Sequence, residues 1–200
     1  MQINQLFPTA VALVDLPQPI SSSELDFIKC APQCNNIGNT SSMNNYILDQ
    51  PELADLKAQL QLLADEYFQQ VYQPPSSLTL RITQSWANYT SSGQFHHKHA
   101  HPNSLISCVL YVASDPNIDK LYFYRGGYRQ LSIPPQQWNL FNSESWWFPS
   151  IANQLIIFPS HLEHMVENRA DSAHQRISLS FNTFPVGNLG LNHELTELFV

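Results

Sequence analysis

From Pro74 onward the chain breaks into short runs rich in β-branched and aromatic residues: LTLRITQSWANY, SLISCVLYVAS, KLYFYRG, YRQLSI, NQLIIFPS and RISLSFNTF. Pro, Gly, Asn and Ser separate them, as turn residues do. Many short strands at even spacing bury their apolar sides only by closing on themselves or by facing a second sheet, so a sandwich or barrel is expected. Before Pro74 the signals are helical. SSELDFIKC, residues 22–30, opens with serines suited to a helix N-cap and carries Leu25, Phe27 and Ile28. Residues 51–72 place Pro51 in a first turn and repeat Leu53, Leu56, Leu60, Leu63, Tyr67 and Val71 at three- and four-residue steps. Such a stripe needs a surface to cover, so the helices are expected on the outside of the barrel. The reading is one mainly-β domain with flanking α-helices over residues 1–200: a helical N-terminal part of about 1–73, a barrel of about 74–185 and a tail of 186–200.

Charge narrows the partners. Nine basic against sixteen acidic side chains give a net charge of −7, so no pull toward nucleic acid or an anionic membrane is expected. Apolar residues reach 43% and charged residues only 12%, which excludes a disordered or coiled-coil chain. MQINQLFPTAVALVDLPQPI has no basic leader region and no apolar run of spanning length, so a cytoplasmic location is expected. Cys30, Cys34 and Cys108 are too few for a disulfide scaffold, and CAPQC lacks the second pair that a zinc site needs. The segment LNHELTELFV offers Leu191, Leu195, Leu198 and Phe199 either to the barrel or to a second copy, so a monomer or a homodimer is expected.

In RISLSFN, Arg176, Ser178, Ser180 and Asn182 alternate with Ile177, Leu179 and Phe181. Two readings are open. Either this is an ordinary half-exposed strand, or the greasy face meets the helices and the polar face lines a barrel interior that holds a polar ligand.

The stretch FHHKHAHPNS puts four of the eight histidines, His96, His97, His99 and His101, within six residues. A histidine cluster in a loop is often only solvated. Two histidines spaced H-x-H on a strand project from one face, however, and imidazole is a common metal donor. A third ligand is available from FPSHLEHMVEN, where His161 or His164 follows an apolar strand. Arg176 comes twelve residues after His164 in the middle of a strand, where a buried guanidinium needs an anionic partner.

These parts, in this order, resemble the Fe(II)- and 2-oxoglutarate-dependent dioxygenases. The words that carry the resemblance are Ser85-Trp86-Ala87-Asn88, the HxHPxS run from His99 to Ser104, Leu110-Tyr111-Val112, the FPSxLxHxV run from Phe158 to Val166, and the RISxSFN run from Arg176 to Asn182. They are most similar to a small bacterial and phage subgroup that uses these words. The resemblance implies a double-stranded β-helix, the jelly-roll or cupin-like barrel. It implies Fe(II) held by His99 and His164, with His101, which the subgroup's H-x-H shares, as the third ligand. It further implies 2-oxoglutarate with its far carboxylate on Arg176, assisted by Ser178, Tyr111 and Asn88; Tyr111 as a core aromatic and Asn88 as a backbone-satisfied amide are the plainer readings. The implied reaction oxidises an unknown small molecule or protein side chain while 2-oxoglutarate becomes succinate, with no catalytic residue beyond the metal ligands.

One position departs from the superfamily pattern: where its motif has a carboxylate, two residues after the first histidine, this chain has His101. Three imidazoles would leave the ion its full double charge; otherwise His101 stands back and water takes the place. A three-histidine cupin-like dioxygenase without 2-oxoglutarate and a non-catalytic jelly-roll binding module are the competing readings. His96 and His97 read as bystanders near the mouth. Trp138, Trp146, Trp147 and Phe148 read as substrate-pocket walls or as core.

Overall fold

The computed structural model describes residues 1–127, 131–167 and 174–200. In chain order the elements are β1 (Ala12–Asp15), α1 (Ser22–Cys30), β2 (Gln33–Asn35), β3 (Thr40–Ser42), α2 (Ala54–Tyr72), β4 (Thr79–Thr90), β5 (His96–His99), β6 (Ile106–Ala113), β7 (Lys120–Tyr124), β8 (Ser145–Pro149), β9 (Gln154–Pro159), β10 (His164–Val166), β11 (Arg176–Val186), β12 (Asn188–Leu189) and β13 (Leu198–Phe199). A major sheet runs β1-β9-β6-β11-β4-β3-β2 and a minor sheet runs β5-β10-β7-β8, each with antiparallel neighbours. The two sheets form a double-stranded β-helix with the helices on one side.

Strand β11 shows why. It is hydrogen-bonded on both edges, to β4 and to β6. Its Ile177, Leu179 and Phe181 join Ile106, Leu110, Leu155, Ile157 and Tyr89 in one apolar layer with Leu53, Leu56, Leu60 and Phe68 of the helical region. The opposite face carries Ser178, Ser180 and Asn182 into the barrel, where all three are buried. Of the two readings of RISLSFN, the inverted one holds: the greasy face meets helices and the polar face lines the interior. A second, smaller apolar cluster of Val109, Tyr111, Leu121, Phe123, Ile156 and Phe158 fills the rest of the barrel.

Helix α1 starts with a capping box: Glu24 N–H donates to Ser21 Oγ at 3.3 Å, and Ser21 N–H donates to a Glu24 carboxylate oxygen at 2.8 Å. Helix α2 is entered through a short 3-10 turn at Pro51–Leu53. The stripe buries Leu53, Leu56, Leu60, Leu63 and Tyr67 as expected, but Val71, in the last turn before the left-handed Gln73, is exposed.

The part before residue 74 is less helical than expected. β1 pairs with β9 and β3 pairs with β4, extending the major sheet. Strands of three or four residues are too short to show alternation in sequence. Within YRQLSI, residues 128–130 lie outside the described residues and 131–133 form no strand. The C-terminal leucines do not pack on the barrel: Leu191, Leu195, Leu198 and Phe199 are exposed, and the segment closes on itself through paired bonds between Gly187 and Val200. No helix among the described residues is long and apolar enough to cross a membrane.

Leu60 is fully buried where α2 meets the sheet. Leu60→Ala is expected to cost about 2–5 kcal/mol in denaturant unfolding, while leaving the barrel interior and its metal affinity unchanged.

Candidate metal centre

His99 ends β5 and lies directly across the ladder from His164, the first residue of β10. His101 follows two residues after the strand, and its backbone N–H donates to Ser160 O at 2.9 Å. The ring centroids of His99 and His164 are 4.4 Å apart, those of His99 and His101 4.8 Å, and those of His101 and His164 5.1 Å. One ligating nitrogen from each of the three rings can be chosen so that all lie within 4.8 Å of one another, and His101 Nε2 and His164 Nε2 stand 3.3 Å apart. Two imidazole nitrogens each about 2.1 Å from one ion at adjacent positions are separated by about 3 Å, so the spacing fits a shared cation.

The hydrogen bonds behind the rings support the same reading. His99 Nδ1 is 2.7 Å from His97 O and His164 Nδ1 is 3.0 Å from Leu162 O. A carbonyl only accepts, so each ring donates from Nδ1 and leaves Nε2 bare for a ligand. Burial and the neighbouring rings hold the imidazoles neutral: His164 is pushed down to about 3 and His101 to about 4, and His99 is lowered. Neutral imidazole is the form that binds metal.

From the triad a narrow cavity runs into the barrel between Trp86, Asn88, Tyr111, Ser178 and Ser180. Asn88, Tyr111 and Ser178, singled out in the sequence, all line it. Asn88 Nδ2 donates to Ser180 Oγ at 3.2 Å, while Asn88 Oδ1 and Tyr111 Oη are buried without a hydrogen-bond partner. Buried polar atoms are rarely left so, and a polar ligand in the cavity would satisfy both; for an anion the Asn88 amide turns over, with Ser180 donating to its oxygen. Burial pushes the Tyr111 phenol up, offset in part by the Arg176 charge and by the Ser150 hydroxyl, which lies near the phenol but outside hydrogen-bonding geometry.

Arg176 is buried at the next inward position along β11 from Ser178, and its charge is felt at both Tyr111 and His96. A protein carboxylate partners it: Arg176 Nη1 donates to Asp119 Oδ1 at 3.2 Å, with Asp119 fully buried. Asp119 is held in place, because Asp115 N–H donates to its other oxygen at 2.8 Å and His174 Nε2 lies 3.3 Å from that oxygen. Sequence reasoning asked for an anionic partner of Arg176 and missed this one; the available signal was DPNID, whose aspartates make a turn just before β7.

His96 is also placed differently from expectation. On β10 two steps separate His164 from Val166, but on β5 three separate their partners His99 and His96. This β-bulge reverses the alternation. His96 therefore lines the cavity and stacks on His99, with centroids 4.7 Å apart, and is not a bystander at the mouth. His97 supplies its carbonyl to His99, and His161 is exposed. Of the aromatic residues expected to wall a pocket, Trp146 and Phe148 border a larger open cleft with Phe123 and Leu162, and Phe123 also approaches His164 with centroids 6.2 Å apart. Trp147 is covered by Lys120 Nζ at 3.9 Å, and Trp138 is exposed.

Comparisons with known proteins agree with this geometry. Residues 84–182, just under half the chain, match the family model described as "Putative 2OG-Fe(II) oxygenase", which supports the 2OG-Fe(II) oxygenase superfamily. No curated protein matches the chain in sequence. Among solved structures, an oxidoreductase of the 2OG-Fe(II) oxygenase family from Burkholderia pseudomallei superposes with a TM-score of 0.56 at 15% identity, covering 86% of this chain and 83% of that one. A prolyl-4-hydroxylase from Pseudomonas putida gives 0.59 at 13% identity, covering 88% and 92%. HygX from Streptomyces hygroscopicus, solved with nickel, 2-oxoglutarate and hygromycin B, gives 0.60 at 10% identity, covering 88% and 82%. At these identities the likeness establishes the fold.

His99→Ala or His164→Ala is expected to abolish stoichiometric Fe(II) uptake with little change in thermal unfolding of the metal-free protein. Metal analysis after anaerobic loading checks this, and wild-type iron content in either variant would sink the ligand assignment.

Proposed function

We propose that this chain is a 2OG-Fe(II) oxygenase, an oxidoreductase in which His99, His101 and His164 hold Fe(II) and 2-oxoglutarate extends from the ion toward Tyr111, Asn88, Ser178 and Arg176. The observation that carries the reading is the convergence of three neutral imidazoles on one point at the head of a cavity that contains two unsatisfied buried polar atoms. When bound, the iron and the 2-oxo acid supply the oxidising chemistry, in which O2 places one oxygen atom in succinate, with loss of CO2, and the other in a hydroxylated substrate.

The chain's own residues bind and orient. Tyr111 Oη and the Asn88 amide act as neutral donors to the far carboxylate, and Arg176 adds charge from behind them. Phe123 and Phe158 pack against His164, with ring centroids 6.2 and 4.8 Å from it, which keeps water from that ligand's flank. The cleft bordered by Phe123, Trp146, Phe148 and Leu162 is the apolar surface beside the triad on which a substrate would rest.

Anaerobic titration of the Fe(II)-loaded protein with 2-oxoglutarate is expected to develop a weak visible metal-to-ligand charge-transfer band. Iron binding without the band would favour a three-histidine dioxygenase that uses no 2-oxo acid, and absence of iron binding would favour a binding module. Arg176→Gln is expected to weaken 2-oxoglutarate roughly 30-fold or more while keeping the iron. Asp119 competes for the same guanidinium, so Asp119→Asn is expected to tighten 2-oxoglutarate by roughly tenfold, read from the same titration.

A further inference from the structure

Four polar side chains outside the triad join into one hydrogen-bonded chain that ends on His101. Ser104 Oγ is 2.6 Å from Ser160 Oγ, Ser160 Oγ is 2.8 Å from Ser107 Oγ, Ser107 Oγ is 2.8 Å from Asn182 Oδ1, and Asn182 Nδ2 is 3.4 Å from His101 Nδ1. Ser107, Ser160 and Asn182 are buried. At the far end, Ser104 Oγ is also 3.1 Å from Ile106 O and 3.2 Å from Thr183 O.

Each hydroxyl both donates and accepts, and the amide presents either its oxygen or its nitrogen, so the chain can run in two directions. In one, Ser104 donates to Ser160, Ser160 to Ser107, Ser107 to Asn182 Oδ1, and Asn182 Nδ2 to His101 Nδ1. The ring proton then sits on Nε2 and faces His164 Nε2, 3.3 Å away. In the other, His101 Nδ1–H donates to Asn182 Oδ1, Asn182 Nδ2 to Ser107, Ser107 to Ser160, Ser160 to Ser104, and Ser104 to one of its two carbonyls. His101 Nε2 is then bare. Both directions satisfy the three serines and Asn182, but the second leaves His101 Nε2 and His164 Nε2 without a donor unless a cation takes both lone pairs, so the first suits the metal-free site and the second the metal-bound one. The imidazole carries one proton in both and stays neutral.

His99 and His164 have no such choice, because backbone carbonyls behind them lock the proton on Nδ1. We infer that Asn182, backed by Ser107, Ser160 and Ser104, is a positioning residue that sets the tautomer of His101. It holds Nε2–H against His164 in the metal-free protein and turns over so that His101 becomes the third ligand. This arrangement lets a histidine stand where the superfamily motif has a carboxylate. A carboxylate ligates without choosing a tautomer; an imidazole must have its proton steered to the far nitrogen, and the buried chain does so. The inference rests on the reading of the triad as a metal site.

The test uses protein labelled with nitrogen-15 in its histidines, examined by long-range proton–nitrogen NMR without metal and with Zn(II), a diamagnetic probe ion. The expected result is His101 as Nε2–H without metal and Nδ1–H with Zn(II), while His99 and His164 carry Nδ1–H throughout. Zn(II) titration should show Asn182→Leu weakened roughly 10- to 100-fold and Asn182→Asp, whose carboxylate only accepts, restored to wild-type affinity or better. The NMR comparison needs no variant and stands if Asn182→Leu does not fold. A His101 that keeps Nε2–H when Zn(II) is bound, one already on Nδ1–H without it, or undiminished affinity in Asn182→Leu overturns the inference and leaves the metal site standing. Wild-type protein that takes up no Zn(II) overturns the metal reading itself.

Discussion

Everything in the site depends on strand β11 separating two unlike environments. Its edges are consumed by β4 and β6, so its side chains have only two places to go. Ile177, Leu179 and Phe181 meet the helices, which leaves Arg176, Ser178, Ser180 and Asn182 inside the barrel. A slip of one residue would exchange the two sets and strand a buried arginine in the apolar layer, so the register is strongly specified. The inward set then forms a polar ladder: Asn182 reaches His101, Ser180 reaches Asn88, Ser178 lines the cavity and Arg176 meets Asp119.

The charge of the site is distributed along that ladder. The triad is neutral, so a divalent ion would keep its full charge at one end. At the other end the guanidinium shares its charge with a fixed carboxylate. The resemblance to the superfamily puts one negative charge on the metal; here that charge stands beside the arginine. Attraction for an anionic ligand, such as the proposed 2-oxo acid, would therefore be concentrated at the metal end.

Much of this was legible in the residues. The helical stripe of Leu53 to Tyr67 and the strands around Leu110, Ile157 and Leu179 show in local periodicity, and the structure has them at nearly those bounds. The residues alone offered two distal histidines and the resemblance pointed to His164; in the structure His164 opens β10 opposite His99, while His161 falls in the turn before it. What was not legible depends on single-residue irregularities and on long-range pairing. The bulge that turns His96 inward leaves no mark in HHKH. The approach of Asp119 to Arg176, 57 residues away along the chain, is set by how β7 and β11 are brought together. Strands β1, β2 and β3 are too short to declare themselves and exist because the major sheet offers them an edge.

Periodicity and side-chain chemistry, legible among neighbours a few residues apart, set the class of the fold, the two-faced character of its last long strand and the residue types able to hold a metal. Tertiary structure alone decided which nitrogens converge, which arginine partner is already present and which buried hydroxyls stand behind His101. Those are matters of a few tenths of an ångström between strands distant in sequence, and a pattern of residue types carries no record of such distances.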